Sequence, residues 1–304
     1  MHGTWPYGRP VPEVPVDAVG LDPVEAALLR AIDLLGADDQ GEPVPCDRVL
    51  RVLAQRDQAD AAAAYRALVR RGVPWSVHLP LVELLGNAGS RDDAPADAEH
   101  VEVRLSPVGA LVLAALDGEL GPVPLGLIEG TAFRGGDIPP FDPAAVVSAL
   151  LAGRADAGRP SFPTGGVVGG AVEALLRGEL ARITVSSAIR AEGGHLAITE
   201  IPYGVGPQDL HDRVHDARAA LRAARETCPM QRIVDETNIR DGVRLYVEPE
   251  KGADLRELRD WLMRIPPVQR AFDCRLPAPM PELLTGWDRG DGSGLRALAD
   301  LLSR

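Results

Sequence analysis

The chain has 304 residues, with 44 acidic against 32 Lys and Arg side chains and a net charge of −12. That length accommodates two domains of ordinary size, and the acidic balance argues against general nucleic-acid affinity, which needs a basic face to neutralise phosphates. No apolar run reaches membrane-spanning length and no basic stretch followed by an apolar one opens the chain, so a soluble cytoplasmic protein is expected.

Residues 1–20 are rich in Pro and Gly without periodicity and predict a flexible N-terminal segment. The first helix signal is "LDPVEAALLRAIDLLG". Asp22 is a cap, Pro23 sits at the first helical position, and Glu25 completes a capping-box spacing. Leu28, Ile32 and Leu35 share one face and Gly36 ends it. "CDRVLRVLAQ" and "AAAAYRALVRRG" predict two further helices. "GNAGSRDDAPADAEHVEVRL", Gly86 to Leu105, reads as a turn feeding a strand. Three helices followed by a strand resemble a winged helix.

"SPVGALVLAAL" predicts a helix, residues 121–140 a Gly/Pro-rich connector, and "FDPAAVVSALLAG" a helix with an Asp-Pro start and a Gly stop. Beyond "RPSFPTGG" the texture turns β-rich. "ARITVSSAIR" and "HLAITEIPY" are joined through Gly193-Gly194, a hairpin signal. "PQDLHDRVHDARAALRAARE" predicts an amphipathic helix, "VRLYVEP" a strand and "ADLRELRDWLMRI" a helix. In "GSGLRALADLLSR", Leu295, Leu298 and Leu302 share a helical face that either docks back or meets a partner. The expected class is α+β with an antiparallel sheet in the second half. Aromatics make up only 4% of the chain, so its core must be mainly aliphatic.

Several segments, in order over residues 21–285, resemble the A subunits of bacterial type II DNA topoisomerases, DNA gyrase and topoisomerase IV. "LDPVEAALLRAI" is similar to that family's Leu-Lys-Pro-Val helix, "GNAGS" to Gly-Asn-Phe-Gly-Ser, and "DIPPFD" to Asn-Ile-Pro-Pro-His-Asn. "SFPTGG", "ITEIPYGV" and "DETNIRDGVRLYVEPEKGAD" resemble its tower domain, and "VQRAF" its Leu-Gln-x-x-Phe element. The resemblance implies a winged-helix domain over 21–158 and a tower-like domain over 159–285. Residues 286–304 would be a helix left from the start of a coiled coil, making the chain a truncated relative.

In that family a tyrosine hydroxyl attacks a DNA phosphate and a neighbouring arginine neutralises the transition state. After a one-residue deletion in the loop before it, the Ala-Met-Arg-Tyr-Thr-Glu-x-Arg-Leu segment corresponds here to Ala98-Glu99-His100-Val101-Glu102-Val103-Arg104-Leu105. Glu99 and His100 thus stand where Arg and Tyr are expected, so no catalytic residue is assigned and His100 marks a vacated position. Histidine attacks phosphate in other enzymes, but a carboxylate beside the reacting phosphate opposes that chemistry.

Other segments implied to touch DNA are also depleted of cations. Glu25-Ala26-Ala27 replaces His-Arg-Arg. "EPVPCDRV" keeps only Arg48 of a Lys/Arg-rich region, Asp57-Gln58-Ala59-Asp60-Ala61 replaces His-Pro-His-Gly-Asp, and Arg177-Gly178-Glu179-Leu180 replaces Thr-Gly-Arg-Gly. Each lost cation removes about one released counterion from binding. Two residues remain as candidate DNA contacts: Arg104, and Ile138, which aligns with the isoleucine that wedges between base pairs. Alternatively, Ile138-Pro139-Pro140 is a structural turn packed on its own domain. Ala62 and Arg66 stand where quinolone drugs reach the family through a Ser and an acid.

His211 and His215, four apart on a helix beside Asp212 and Asp216, have metal-ligand spacing, but no third ligand is evident and a solvated face explains them equally well. The acid-rich "RDDAPADAEHVE" reads as a solvated loop, and "GGVVGG" lacks the Lys-Ser/Thr of a phosphate loop. Cys46, Cys228 and Cys274, odd in number and far apart, indicate neither a disulfide framework nor a thiolate metal site. No metal and no cofactor is expected. The leading expectation is a non-catalytic relative of these A subunits acting by association, as a homodimer or with a topoisomerase A or B subunit. The alternative is a working DNA-binding protein or topoisomerase component that acts on duplex DNA with a B subunit.

Overall fold

The structure, a computed structural model, describes residues 21–57, 60–130, 132–133, 136–238, 242–288 and 290–304. The segment 1–20 and Gln58 and Ala59 lie outside the described residues. Helix α1 (Pro23–Leu34) begins with the capping box in place: Asp22 Oδ1 accepts the Glu25 N–H at 2.8 Å, and Glu25 Oε2 accepts the Asp22 N–H at 3.2 Å. Leu28 and Ile32 are buried on its inner face and Leu35 is half-buried.

Strand β1 (Val44–Pro45), helices α2 (Cys46–Asp57) and α3 (Ala61–Arg70), and strands β2 (Val82–Gly86) and β3 (Val101–Leu105) follow. β1 and β2 flank β3 in a three-stranded antiparallel sheet, which packs on α1 and α2. Strand alternation decides its faces: Val101, Val103 and Leu105 point into the core while Glu102 is exposed. The sequence does not signal β1 or β2. β1 is two residues long, and β2, "VELLG", buries only its first residue well, so neither shows clear alternation.

Helix α4 (Pro107–Leu116) is capped by Ser106, whose Oγ accepts the Gly109 N–H. Helix α5 (Leu125–Glu129) and the short strands β4 (Ala132–Phe133) and β5 (Gly136–Asp137) occupy the connector. Helix α6 (Pro143–Ala152) has the expected Asp142 cap and ends on left-handed Gly153.

The second half holds β6 (Val167–Gly170), α7 (Val172–Leu176), β7 (Ala181–Ser186), β8 (Ala188–Glu192) and β9 (His195–Glu200). They are followed by α8 (Pro207–Ala223), β10 (Met230–Asp235), β11 (Leu245–Pro249), α9 (Leu255–Leu262), β12 (Gln269–Cys274), α10 (Met280–Thr285) and α11 (Ser293–Leu302). The β8–β9 hairpin turns on Gly193 and Gly194, both at positive φ (54° and 89°). "ARITVSSAIR", which reads as one β segment, is two strands in different sheets. β7 belongs to a five-stranded sheet ordered β4-β5-β12-β7-β6, and β8 to a four-stranded antiparallel sheet ordered β10-β11-β9-β8. The switch occurs at Ser187, whose N–H bonds Val268 O at 2.8 Å. The five-stranded sheet is antiparallel except for the β5–β12 pairing.

Two cores result. The larger runs from α1 through β7 and takes in Cys274, Leu276, Met280, Leu284, Leu295 and Leu298; the smaller joins the four-stranded sheet to α8 and α9. The class is α+β. The C-terminal helix docks back: α11 packs on α4 and α6, with Leu295 and Leu298 fully buried and Leu302 half-buried.

Candidate functional site

Glu99 and His100 sit at the end of the β2–β3 loop, immediately before β3. Tyr65 on α3 donates its hydroxyl hydrogen to Ala96 O at 2.6 Å, and the Asp47 N–H on α2 bonds Ala98 O at 3.0 Å. The loop shapes itself through Ser90, whose Oγ accepts the N–H groups of Asp92 and Asp93. Its backbone is therefore well held, yet the side chains of Glu99 and His100 are each 67% exposed, with His100 Nε2 lying 3.4 Å from Glu99 Oε1. An exposed pair of this kind contributes little stability. Among the described residues no base, orienting group or cation is bonded to the pair, as a phosphoryl nucleophile requires.

The nearest implied cation, Arg104, is spoken for. Its guanidinium meets Glu83 Oε2 across the β2–β3 ladder, at 2.7 Å from Nε. Arg177 and Glu179 likewise pair at 2.7 Å on the surface, each holding the other in its charged form, with Leu180 beside them 64% exposed. Exposed Arg48 and Arg66 lie on α2 and α3, and Ala62 is exposed near the start of α3.

Glu25 departs from the sequence reading of an acid facing the DNA side. It is buried, 3% exposed, and takes Arg71 Nε and Nη2 at 2.8 and 2.7 Å and Arg70 Nη2 at 2.6 Å. Burial pushes its carboxyl up, but the hydrogen bonds and charges of Arg71 and Arg70 outweigh that and hold it below the ordinary glutamate range. Its capping-box geometry is legible in the sequence; its arginine partners are not, because they lie 45 and 46 residues away.

Ile138 is 6% exposed and belongs to the larger core. Pro139 and Pro140 beside it are buried as well, and the Phe141 N–H that follows bonds Ile128 O. Glu129, unremarked in the sequence, ties this connector to the rest. Its carboxylate accepts the N–H groups of His78 and Leu79 at 2.9 and 2.7 Å, and burial pushes its pKa up. His78 Nε2 lies 2.9 Å from Ser161 O, and Tyr203 donates to Ser76 O at 3.1 Å.

A second unremarked residue is Asp92. It accepts the N–H groups of Gln208 and Asp209 at 3.1 and 3.2 Å, capping α8 from the β2–β3 loop. Gly206 permits this approach: a Cβ there would stand 1.7 Å from Asp92 Oδ1. The sequence does carry a faint signal, since "GPQD" starts a helix without a capping side chain of its own.

The three cysteines are buried, and burial together with Asp47 pushes the Cys46 thiol up to about 12, which leaves it unreactive. The last four residues of "GGVVGG" form the edge strand β6. His211 and His215 lie on the outer face of α8. Among the described residues no group of three or more His, Cys, Asp or Glu could hold a metal ion, and no helix is long and apolar enough to cross a membrane.

No family model matches the chain. The DNA gyrase A subunit of Thermotoga maritima is 28% identical over 310 aligned positions, covering 88% of this chain and 38% of that protein. Its Lawsonia intracellularis counterpart is also 28% identical, covering 91% and 38%. The DNA topoisomerase 4 A subunit of Staphylococcus aureus is 27% identical, covering 85% and 37%. The chain is a relative of the type II topoisomerase A subunits. It spans somewhat over a third of the length of these curated relatives.

Proposed function

We propose that this A-subunit relative is non-catalytic and works by protein association, as a homodimer or as a partner of a topoisomerase A or B subunit. The observation that carries the reading is the exposed Glu99–His100 pair, to which no cation among the described residues is bonded, at the position that corresponds to the relatives' Arg-Tyr. Strand cleavage by tyrosine needs a hydroxyl nucleophile and local positive charge at one point; this loop offers an imidazole and a carboxylate. The pairing of Arg104 with Glu83 and Arg177 with Glu179, and the burial of Ile138, support a surface that no longer engages the duplex. The order α1-β1-α2-α3-β2-β3 supports reading residues 21–158 as a winged-helix domain, and the sheet-rich part within 159–285 as tower-like.

Supercoiled plasmid incubated with the purified chain, with and without ATP and a gyrase B subunit, is expected to stay supercoiled and to yield no denaturation-resistant adduct. Duplex DNA is expected to show no mobility shift at low salt. Relaxed or linear plasmid overturns the reading, and His100→Ala would then report whether the imidazole carries the chemistry. The association half fails if the chain is monomeric by size-exclusion light scattering and captures neither topoisomerase subunit.

A further inference from the structure

The face of α8 away from the core carries the repeat His211-Asp212 and His215-Asp216, and nothing proposed above uses it. Leu210 and Val214, about a quarter-turn round the helix, are fully buried, so the helix presents these imidazoles from a fixed support. His211 is 27% exposed and His215 is exposed. Their rings lie 15° from parallel with centroids 6.5 Å apart.

Asp212 defines the chemistry of the first ring. Its Oδ1 lies 3.1 Å from His211 Nδ1 and also accepts the Gln208 side-chain amide at 2.8 Å. With Nδ1 engaged by that carboxylate, Nε2 is the ring nitrogen available to a ligand. A carboxylate on the far nitrogen is the arrangement that orients metal-ligating histidines and raises their basicity.

We propose that His211 and His215 chelate a borderline divalent transition-metal ion (Zn2+, Ni2+ or Cu2+), with water completing the coordination. Imidazole spacing of four residues on one helix suits such ions, whereas hard Mg2+ and Ca2+ prefer oxygen ligands. Metal–nitrogen bonds of about 2.0–2.1 Å bring two ligating nitrogens within about 4 Å of each other. The exposed His215 ring must turn toward His211 to meet that condition. With two protein ligands the site is open and exchangeable.

Titration of Zn2+ into the full chain, followed by calorimetry, is expected to show one ion per chain that Mg2+ does not displace. Either His211→Ala or His215→Ala weakens binding by at least about tenfold, and Asp212→Asn by about tenfold. The far-ultraviolet circular dichroism of each variant matches the parent, since the side chains are on the surface. Unchanged Zn2+ binding in the double His→Ala variant would overturn the proposal by assigning the metal to scattered carboxylates. So would the absence of binding in the parent.

Discussion

At the scale of single residues, Glu25 shows how one position serves two ends. As the third residue of α1 it completes the capping box, and as a buried anion it anchors Arg70 and Arg71 at the end of α3. Removing one partner of a buried ion pair leaves a charge poorly compensated, at a cost of about 3–5 kcal/mol. Arg71→Ala is therefore expected to lower the chemical-denaturation midpoint by a corresponding amount. The pH dependence has a definite sign. The folded carboxyl lies below its ordinary value of 4.5, so its stabilisation is complete above that pH and is lost as pH falls through the depressed value. The acid-side decline should be shallower in Arg71→Ala; an equal slope would show that Glu25 does not control it. The capping half of this role is readable from local spacing. The ion-pair half depends on a contact spanning 46 residues, which no local pattern encodes.

At the scale of elements, the starts of α1, α4 and α6 are legible because the caps lie next to them in the chain: Asp22, Ser106 and Asp142 each accept a nearby N–H. Helix α8 has no local side-chain cap and is capped across the fold by Asp92. Asp92→Ala is expected to cost about 1 kcal/mol in stability and to speed amide exchange at Gln208 and Asp209, leaving the far end of α8 unchanged. Protection unaltered at those two amides would count against the cap. The C-terminal helix behaves as a core element rather than a projecting arm. Leu298 is fully buried where α11 meets α4 and α6, so Leu298→Ala should cost about 2–5 kcal/mol by thermal or chemical unfolding. A loss below about 1 kcal/mol would mean that α11 does not dock as described. Strand β10, "MQRIVD", escapes sequence reading because its burial does not alternate regularly and its register with β11 shifts between Met230 and Arg232.

At the scale of the whole molecule, net charge argues in the direction that the ion pairs do. A chain at −12 whose candidate contact Arg104 is paired with an acid has little to release counterions from a duplex. The plasmid and mobility-shift experiments test that conclusion directly. By itself, the amino-acid sequence determined the α+β class, the capped helices, the Gly193-Gly194 hairpin, the kinship with topoisomerase A subunits and the presence of Glu99-His100 in the aligned segment. These rest on spacing, turn chemistry and motif order, all of which are local or linear properties. Only the tertiary structure decided that β7 and β8 part into different sheets at Ser187, that Glu25 turns inward onto two arginines, that Ile138 is buried, and that Asp92 caps a helix more than a hundred residues away. Each of these is settled by which distant groups share a desolvated contact, and the energy of such a contact exists only once the chain has brought them together.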